Sequence, residues 1–404
     1  MKAPSSLIRN QQKNLLRLLH HLHPHMREDR ALPARIQKLL GQNRAFGARD
    51  RRLYRELIYT AVRYWPWFEP KLAKKPDATT RAIAWLAAET PVTHEFRAAL
   101  AGEMPPLPAT IAGRAEFLHA DSPPLPLWFR PHCPALFSSP QLEAVLSRAP
   151  LWLRLQTADP QPLFDEFSEC GWKWRRTAVL SGAIELLTEA DLTRTQSYDD
   201  GLFEIQDLGS QLILETVGIE PGGRWLDACA GAGGKTLQLA ALTGPRGRVD
   251  AHDIRAEALR ELRSRTERAG LKNIHVLGSR PAHGYDGVLV DAPCSGSGTW
   301  RRAPHLKWST LPEHVEEAAR TQLELLMQFA PLVRSGGRLV YATCSLSRRE
   351  NEDVALAFLA AHRDFAPVPP TRMFEARSDG PGFTFLPALH DTDGFFVTSL
   401  RRVG

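Results

Sequence analysis

Gly287-Val-Leu-Val-Asp-Ala-Pro-Cys-Ser-Gly-Ser-Gly298 joins an apolar run to a chemically loaded end. Val288, Leu289 and Val290 are too few for a helix and rich in β-branching, which predicts a buried parallel strand. Pro293 stops the strand, and Gly296 and Gly298 keep the following backbone loose. A carboxylate, Asp291, and a thiol, Cys294, are thereby expected at the carboxyl end of a strand. In open α/β sheets that edge is where ligands bind.

Around this stretch, from Phe203 onward, strand and helix patterns alternate. Strands are expected near Arg224–Asp227, Gly247–Asp253, Ile274–Leu277, Gly287–Asp291 and Arg338–Thr343. Helices are expected near Lys235–Thr243, Ala256–Ala269, Glu313–Val333 and Asn351–His362. This is the signature of a doubly wound α/β fold with a mostly parallel, Rossmann-like sheet. Phe383–Leu386 and Gly394–Arg401 read as an antiparallel pair closing one sheet edge.

The first of these strands runs into Trp225-Leu-Asp-Ala-Cys-Ala-Gly-Ala-Gly-Gly-Lys-Thr236. Small residues let backbone pass close under a ligand at a helix start. A P-loop needs Gly five positions before Gly234, where Cys229 stands. A dinucleotide fingerprint wants Gly at Thr236. S-adenosylmethionine, whose sulfonium and amino-acid end need no phosphate cradle, fits better. Cys229, Ala230, Gly231, Ala232, Gly233, Gly234 and Lys235 form the expected cofactor loop. Asp253, 20 residues after Gly233, is placed to hold ribose hydroxyls.

A second thiol, Cys344, closes the last parallel strand in Tyr341-Ala-Thr-Cys-Ser345. If the strands bearing Asp291 and Cys344 lie side by side, Cys294 and Cys344 flank one cleft. The other cysteines, Cys133 and Cys170, show no pattern of their own. Five cysteines spread through 404 residues do not make a disulfide framework.

Ahead of this region, residues 1–110 read as helical, including one helix over Arg51–Trp67 with its apolar face at Leu53, Leu57, Ile58, Ala61 and Val62. Residues 1–75 carry 17 Lys and Arg against 5 Asp and Glu, a balance of +12. The whole chain is at +6, which leaves −6 for the remainder. A basic module on an acidic body suggests a polyanion partner, most simply nucleic acid. Arg49, Arg51, Arg154 and Lys307 are candidate contacts. The run His20, His21, His23, His25 lacks a Cys or acidic partner at ligand spacing, so a solvated helix end is expected and no metal. Prolines between residues 104 and 135 predict an irregular arm, with Trp128, Phe129 and Arg130 as anchors. Leu151–Leu155, Pro162–Cys170, Trp172–Trp174 and Ile184–Leu187 predict a small strand–helix–strand–strand unit. No run is long and apolar enough for a membrane span or a signal core, so a cytoplasmic protein is expected; a monomer is expected as well.

These motifs resemble the RNA cytosine-carbon-5 methyltransferases of the Nol/Nop/Sun group. The resemblance is carried by Gln206-Asp-Leu-Gly-Ser-Gln211, Cys229–Thr236, Asp291–Gly298 and Ala342-Thr-Cys-Ser345. Arg301-Arg-Ala-Pro-His-Leu-Lys-Trp308, Glu350-Asn-Glu352 and Asp393-Gly-Phe-Phe396 fit later segments of that family. Ala48-Arg-Asp-Arg-Arg52 and Glu56-Leu-Ile-Tyr59 resemble the NusB-like domain of its bacterial RsmB (Sun/Fmu) branch. The resemblance implies a helical RNA-binding domain over 1–118, a linker and small α+β subdomain over 119–203, and a catalytic domain over 204–404. It implies S-adenosylmethionine as cofactor and RNA, in the RsmB-like layout small-subunit rRNA, as substrate. It implies Cys344 as nucleophile, Cys294 in the release step and Asp291 on the base edge. Two departures stand out. Gly231-Ala232 replaces the family's frequent Ala-Pro, and Leu277-Gly-Ser-Arg-Pro281 lacks an acid near the adenine, where Ser279 or backbone could substitute. A tRNA-directed enzyme and a non-catalytic ribosome assembly factor on the same scaffold are the alternatives.

Overall fold

The computed structural model describes residues 5–279, 281 and 283–403. The chain forms two compact units, Met1–Arg148 with Trp300–Pro312, and Ala149–Thr299 with Glu313–Gly404. These boundaries differ from the expected breaks after 118 and 203, for packing reasons. Leu146, with Leu142 and Trp308 against it, shares the core of the helices, so the proline-rich arm belongs with them. In the other unit Trp152 and Ala183 share a core with Leu212, Leu289 and Val340, which fuses the small sheet to the large one.

The first unit is helical. Ser5 caps Ser6–Leu22 by accepting a hydrogen bond from the Ile8 amide at 3.3 Å. Leu15, Leu18 and Leu19 of that helix are buried with Leu53, Leu57 and Ile58 of Ala48–Arg63. Each such side chain contributes about 1.5–3 kcal/mol of burial. The single helix expected over Arg51–Trp67 is in fact two, Ala48–Arg63 and Trp65–Leu72. Pro66 cannot donate to the preceding turn but suits a helix start, so the chain restarts there. The arm holds a helix of its own, Ile111–Leu118. Phe129 within it is buried against Trp300, with ring centroids 4.6 Å apart.

Lys307 does not reach outward to a polyanion. It is fully buried, and its Nζ donates to the carbonyls of Arg63 at 2.6 Å and Pro124 at 3.1 Å. Burial drives its pKa well below the ordinary lysine value. Trp308 Nε1 donates to the Val62 carbonyl at 2.7 Å. The segment after Thr299 is thus an internal brace of the helical unit.

The second unit holds two sheets. The smaller runs β2 (Trp174–Arg176), β3 (Ala183–Leu186), β1 (Leu151–Leu155), β4 (Phe203–Ile205), all antiparallel. Arg154 on β1 is buried with its Nε donating to Gln206 at 2.7 Å, so it too is internal. The larger sheet contains β5 (Arg224–Asp227), β6 (Arg248–Ala251), β7 (Ile274–Val276), β8 (Tyr285–Asp291), β9 (Val333–Thr343), β10 (Phe365–Pro367), β11 (Arg377–Asp379), β12 (Gly382–Phe385) and β13 (Phe395–Arg402). Its order is β11-β12-β13-β9-β8-β5-β6-β7, with β10 also on β13. Strands β9-β8-β5-β6-β7 are parallel, and the others are antiparallel. The expected pair β12 and β13 is present, but β11 lies outside it. Order reverses at β5, whose neighbours are β6 and β8. Asp227 pairs in register with Leu289, and Asp291 with Ala342, so the carboxyl ends of β5, β8 and β9 open at one edge.

Candidate active site

At that edge the loop after β5 turns back as the helix Gly234–Thr243. Asp227 ties the turn down, accepting from Thr236 Oγ1 at 2.7 Å. Gly233 takes φ of +94°, and a Cβ there would lie 2.3 Å from Leu262 Cδ1. The positive φ is what favours glycine here, since the Leu262 methyl is the far end of a flexible side chain. The Gly231 amide donates to Asp253 Oδ2 at 2.8 Å, which brings loop and second strand end together as the spacing predicts. Asp253 also accepts from Arg255 Nε and Nη2, each at 2.9 Å. Burial opposes ionisation of Asp253, but the Arg255 bonds win and hold its carboxyl down at about 2.

Beside Asp253 lies a cavity of about 460 Å³, lined by His252, Ile254, Leu259, Leu277, Gly278 and Ser279 among others. Ile254 is 92% exposed, an aliphatic face presented to solvent beside a carboxylate. Ser279 is on this wall. Arg280, also in the segment that lacks the family's acid, lies outside the described residues.

The thiols meet. Cys294 Sγ and Cys344 Sγ are 3.3 Å apart, both free and partly buried. Two backbone bonds hold their segments together. The Ala292 amide donates to the Ala342 carbonyl at 2.9 Å, and the Gly298 amide to the Cys344 carbonyl at 2.9 Å. A Cβ on Gly298 would lie 2.0 Å from the Gly394 oxygen, so no side chain fits at that crossing.

Lys235 Nζ donates to Asp291 Oδ2 at 2.9 Å. Burial pulls the ammonium down, but attraction to Asp291, Cys344 and Asp227 outweighs it and leaves the group above its ordinary value. Lys235 therefore stays charged, with Asp291 taking much of its field. Burial pushes the Asp227 carboxyl up to about 7; the Thr236 bond opposes this and the Asp291 charge reinforces it. The Cys294 thiol is raised well above its ordinary value by its hydrogen bond with Cys344, then by burial. Cys229 is half-buried, its amide 3.4 Å from Asp227 Oδ1, and burial raises its thiol as well. It is a wall of the loop rather than a third reactive sulfur.

Three residues that hold this edge have no role assigned from the sequence, although Glu350 lies in a quoted segment. Arg255 covers Asp253. Arg265 donates to the Ala232 carbonyl at 2.8 Å and is itself held by buried Glu204 at 2.6 Å. Glu350 lies beneath both thiol segments. The buried acids Glu204 and Glu350 are a signal only once pairing is known. Among the described residues no group of three or more His, Cys, Asp or Glu is placed to hold a metal ion. No helix among them is long and apolar enough to cross a membrane.

Residues 214–401 match the family model described as 16S rRNA methyltransferase RsmB/F. The protein of Bacillus subtilis (strain 168) named "Probable ribosomal RNA small subunit methyltransferase B" is 34% identical over 261 residues. The match covers 61% of this chain and 58% of that protein, so this chain spans less than two thirds of the relative's length. Among solved structures, PH0851 covers 91% of this chain and 93% of its own, with TM-score 0.71 and 22% identity, a likeness of fold. A methyltransferase homolog protein from Pyrococcus horikoshii is 27% identical with TM-score 0.56, covering 65% of this chain and 89% of its own. The family's cofactor is S-adenosylmethionine. The glycine loop, the Asp253 carboxylate and the cavity, whose wall mixes Ile254, Leu259 and Leu277 with Arg260 and Arg263, fit it in size and chemistry. Residues 214–401 of this chain are thus similar to the RsmB/F methyltransferase family.

Proposed function

We propose that this protein methylates carbon 5 of a cytosine in small-subunit ribosomal RNA, through a covalent bond between Cys344 and the base. One observation carries the reading: two free thiols 3.3 Å apart at adjacent strand ends, beside the Lys235–Asp291 pair. Carbon 5 of cytosine is a poor nucleophile. Addition of the Cys344 thiolate to carbon 6 pushes electron density onto carbon 5. S-adenosylmethionine, when bound, supplies an electrophilic methyl group on sulfonium. Asp291 hydrogen-bonds the base edge, and Lys235 holds Asp291 in place. After methylation carbon 5 still bears a proton. Cys294 removes it, the carbon 6–sulfur bond breaks, and Cys344 leaves as thiolate. The loop over Cys229–Lys235 and Asp253 hold the cofactor's amino-acid and ribose ends. The base must leave any stack to reach the thiols, so looped or single-stranded RNA costs least.

The test is incubation with labelled S-adenosylmethionine and bulk RNA from a strain lacking the protein. Label is expected in 5-methylcytosine of small-subunit rRNA. Label confined to tRNA, or on another atom, would overturn this assignment.

Two further outcomes follow. Asp253→Ala is expected to weaken cofactor binding about tenfold or more, since a charge-assisted hydrogen bond is lost; calorimetry reads this directly. Release needs Cys294 without its proton; with Cys344 bonded to carbon 6 the thiol–thiol bond no longer raises Cys294, but burial still does. Turnover is therefore expected to keep rising with pH through the alkaline range. A pH–rate profile that levels off below the ordinary thiol range would contradict the role given to Cys294.

A further inference from the structure

We propose that Glu350 is a positioning residue for both thiols: its one carboxylate ties the Cys294 segment to the Cys344 segment and sets their spacing. The inference rests on the roles given above to the two cysteines.

Glu350 is fully buried. Its Oε1 accepts from the Ser295 amide at 2.7 Å and from Gln322 Nε2 at 3.2 Å. Its Oε2 accepts from Ser295 Oγ at 2.5 Å and Ser345 Oγ at 2.6 Å. Ser295 follows Cys294, and Ser345 follows Cys344. Four donors saturate the lone pairs of an ionised carboxylate, and no neutral side chain of this size accepts four hydrogen bonds. Burial raises the Glu350 carboxyl, and the Ser295, Ser345 and Gln322 donors oppose that rise.

The surrounding bonds fasten the same two segments from their other sides. Gln322 Nε2 also donates to the Pro293 carbonyl at 3.0 Å, just before Cys294. Asn351 accepts from Thr343 Oγ1 at 2.6 Å and donates to the Ser345 carbonyl at 2.9 Å, bracketing Cys344. Ser297 Oγ lies 2.9 Å from Ser345 Oγ and accepts from the Leu346 amide at 2.9 Å. Tyr341 donates its hydroxyl to the Glu350 carbonyl. Of these groups, Glu350 alone bonds side chains following both cysteines while accepting only. A protonated or amide group there must turn a donor toward a donor. The Ser295 amide cannot reverse, whereas the two hydroxyls can.

The spacing can be read without RNA or cofactor. Dibromobimane fluoresces only once it has bridged two neighbouring thiols. The wild-type chain is expected to bridge, and Cys294→Ala to stay dark. Glu350→Ala is expected to slow bridging about tenfold or more, while iodoacetamide still alkylates both thiols. Glu350→Gln keeps one acceptor oxygen for the Ser295 amide and lets the hydroxyls turn, so bridging should recover part of the way. In the methylation assay, Glu350→Ala is expected to lose about 100-fold in kcat, with KM for the cofactor changed by less than about threefold. General loosening would instead weaken cofactor binding together with turnover.

If Glu350→Ala does not fold, the Ser295→Ala/Ser345→Ala double variant removes the two hydroxyl ties and should slow bridging similarly. Bridging at the wild-type rate in the folded variants overturns the proposal. A wild-type chain that bridges normally but transfers no methyl group overturns the proposed function and leaves the tie intact.

Discussion

Cys344→Ala is expected to lower methyl transfer by about four orders of magnitude or more, with the fold preserved. The substitution removes one sulfur from a partly buried position and no hydrogen bond of the sheet. Melting temperature should therefore fall by no more than a few degrees. Loss of rate follows because no other group stands in for the nucleophile. Cys229 is half-buried on the glycine loop, and its raised thiol supplies little thiolate. Cys294 is 3.3 Å away, and with the bond to Cys344 gone burial still raises its thiol. A poor thiolate at a displaced angle does not replace a placed one. Single-turnover transfer from labelled cofactor reads the loss. Residual activity above a hundredth of wild type, with a covalent bond mapped to Cys294, would reverse the two roles.

The parallel sheet and both thiols were legible because each depends on short-range pattern. A β-branched run ending in Pro or Gly marks a buried strand and its carboxyl end together. Gly287–Asp291 is legible this way and Arg338–Thr343 by its place in the strand–helix alternation; the register of the observed strands, Tyr285–Asp291 and Val333–Thr343, then brings Cys294 and Cys344 to one edge. Elements held by tertiary contact were not legible. Phe203–Ile205 is three residues long and becomes a strand by pairing with Leu153–Leu155. Arg377–Asp379 is polar and extends the sheet only because Gly382–Phe385 lies beside it. Lys307 and Arg154 illustrate the same limit for charge. A cation that donates inward to carbonyls or an amide has the same letter as one facing RNA. Glu350 is legible as an acid at a helix start, a common capping choice. Its four donors come from residues 295, 322 and 345, which no local window contains.

Cys294→Ala is expected to trap RNA on the protein as a covalent complex that survives denaturant. Once Cys344 is bonded to carbon 6 and carbon 5 carries its methyl group, the adduct can leave only by losing the carbon 5 proton. Cys294 sits 3.3 Å from the sulfur that would hold carbon 6, so the adjacent carbon is within its reach. Alanine offers no base there, and release should slow by about 10²–10⁴-fold. Addition should change far less, because Cys344, Lys235 and Asp291 all remain. Formation outrunning release makes the complex accumulate toward one RNA per protein. On a denaturing gel it should appear as a slower band that needs both RNA and S-adenosylmethionine at full yield and collapses with ribonuclease. The double variant Cys294→Ala/Cys344→Ala should show no such band, which fixes the bond to Cys344. A Cys294→Ala protein that turns over at the wild-type rate without a retarded band would remove Cys294 from the reaction. The base would then have to be water or Asp291, and the closeness of the two sulfurs would have no catalytic meaning.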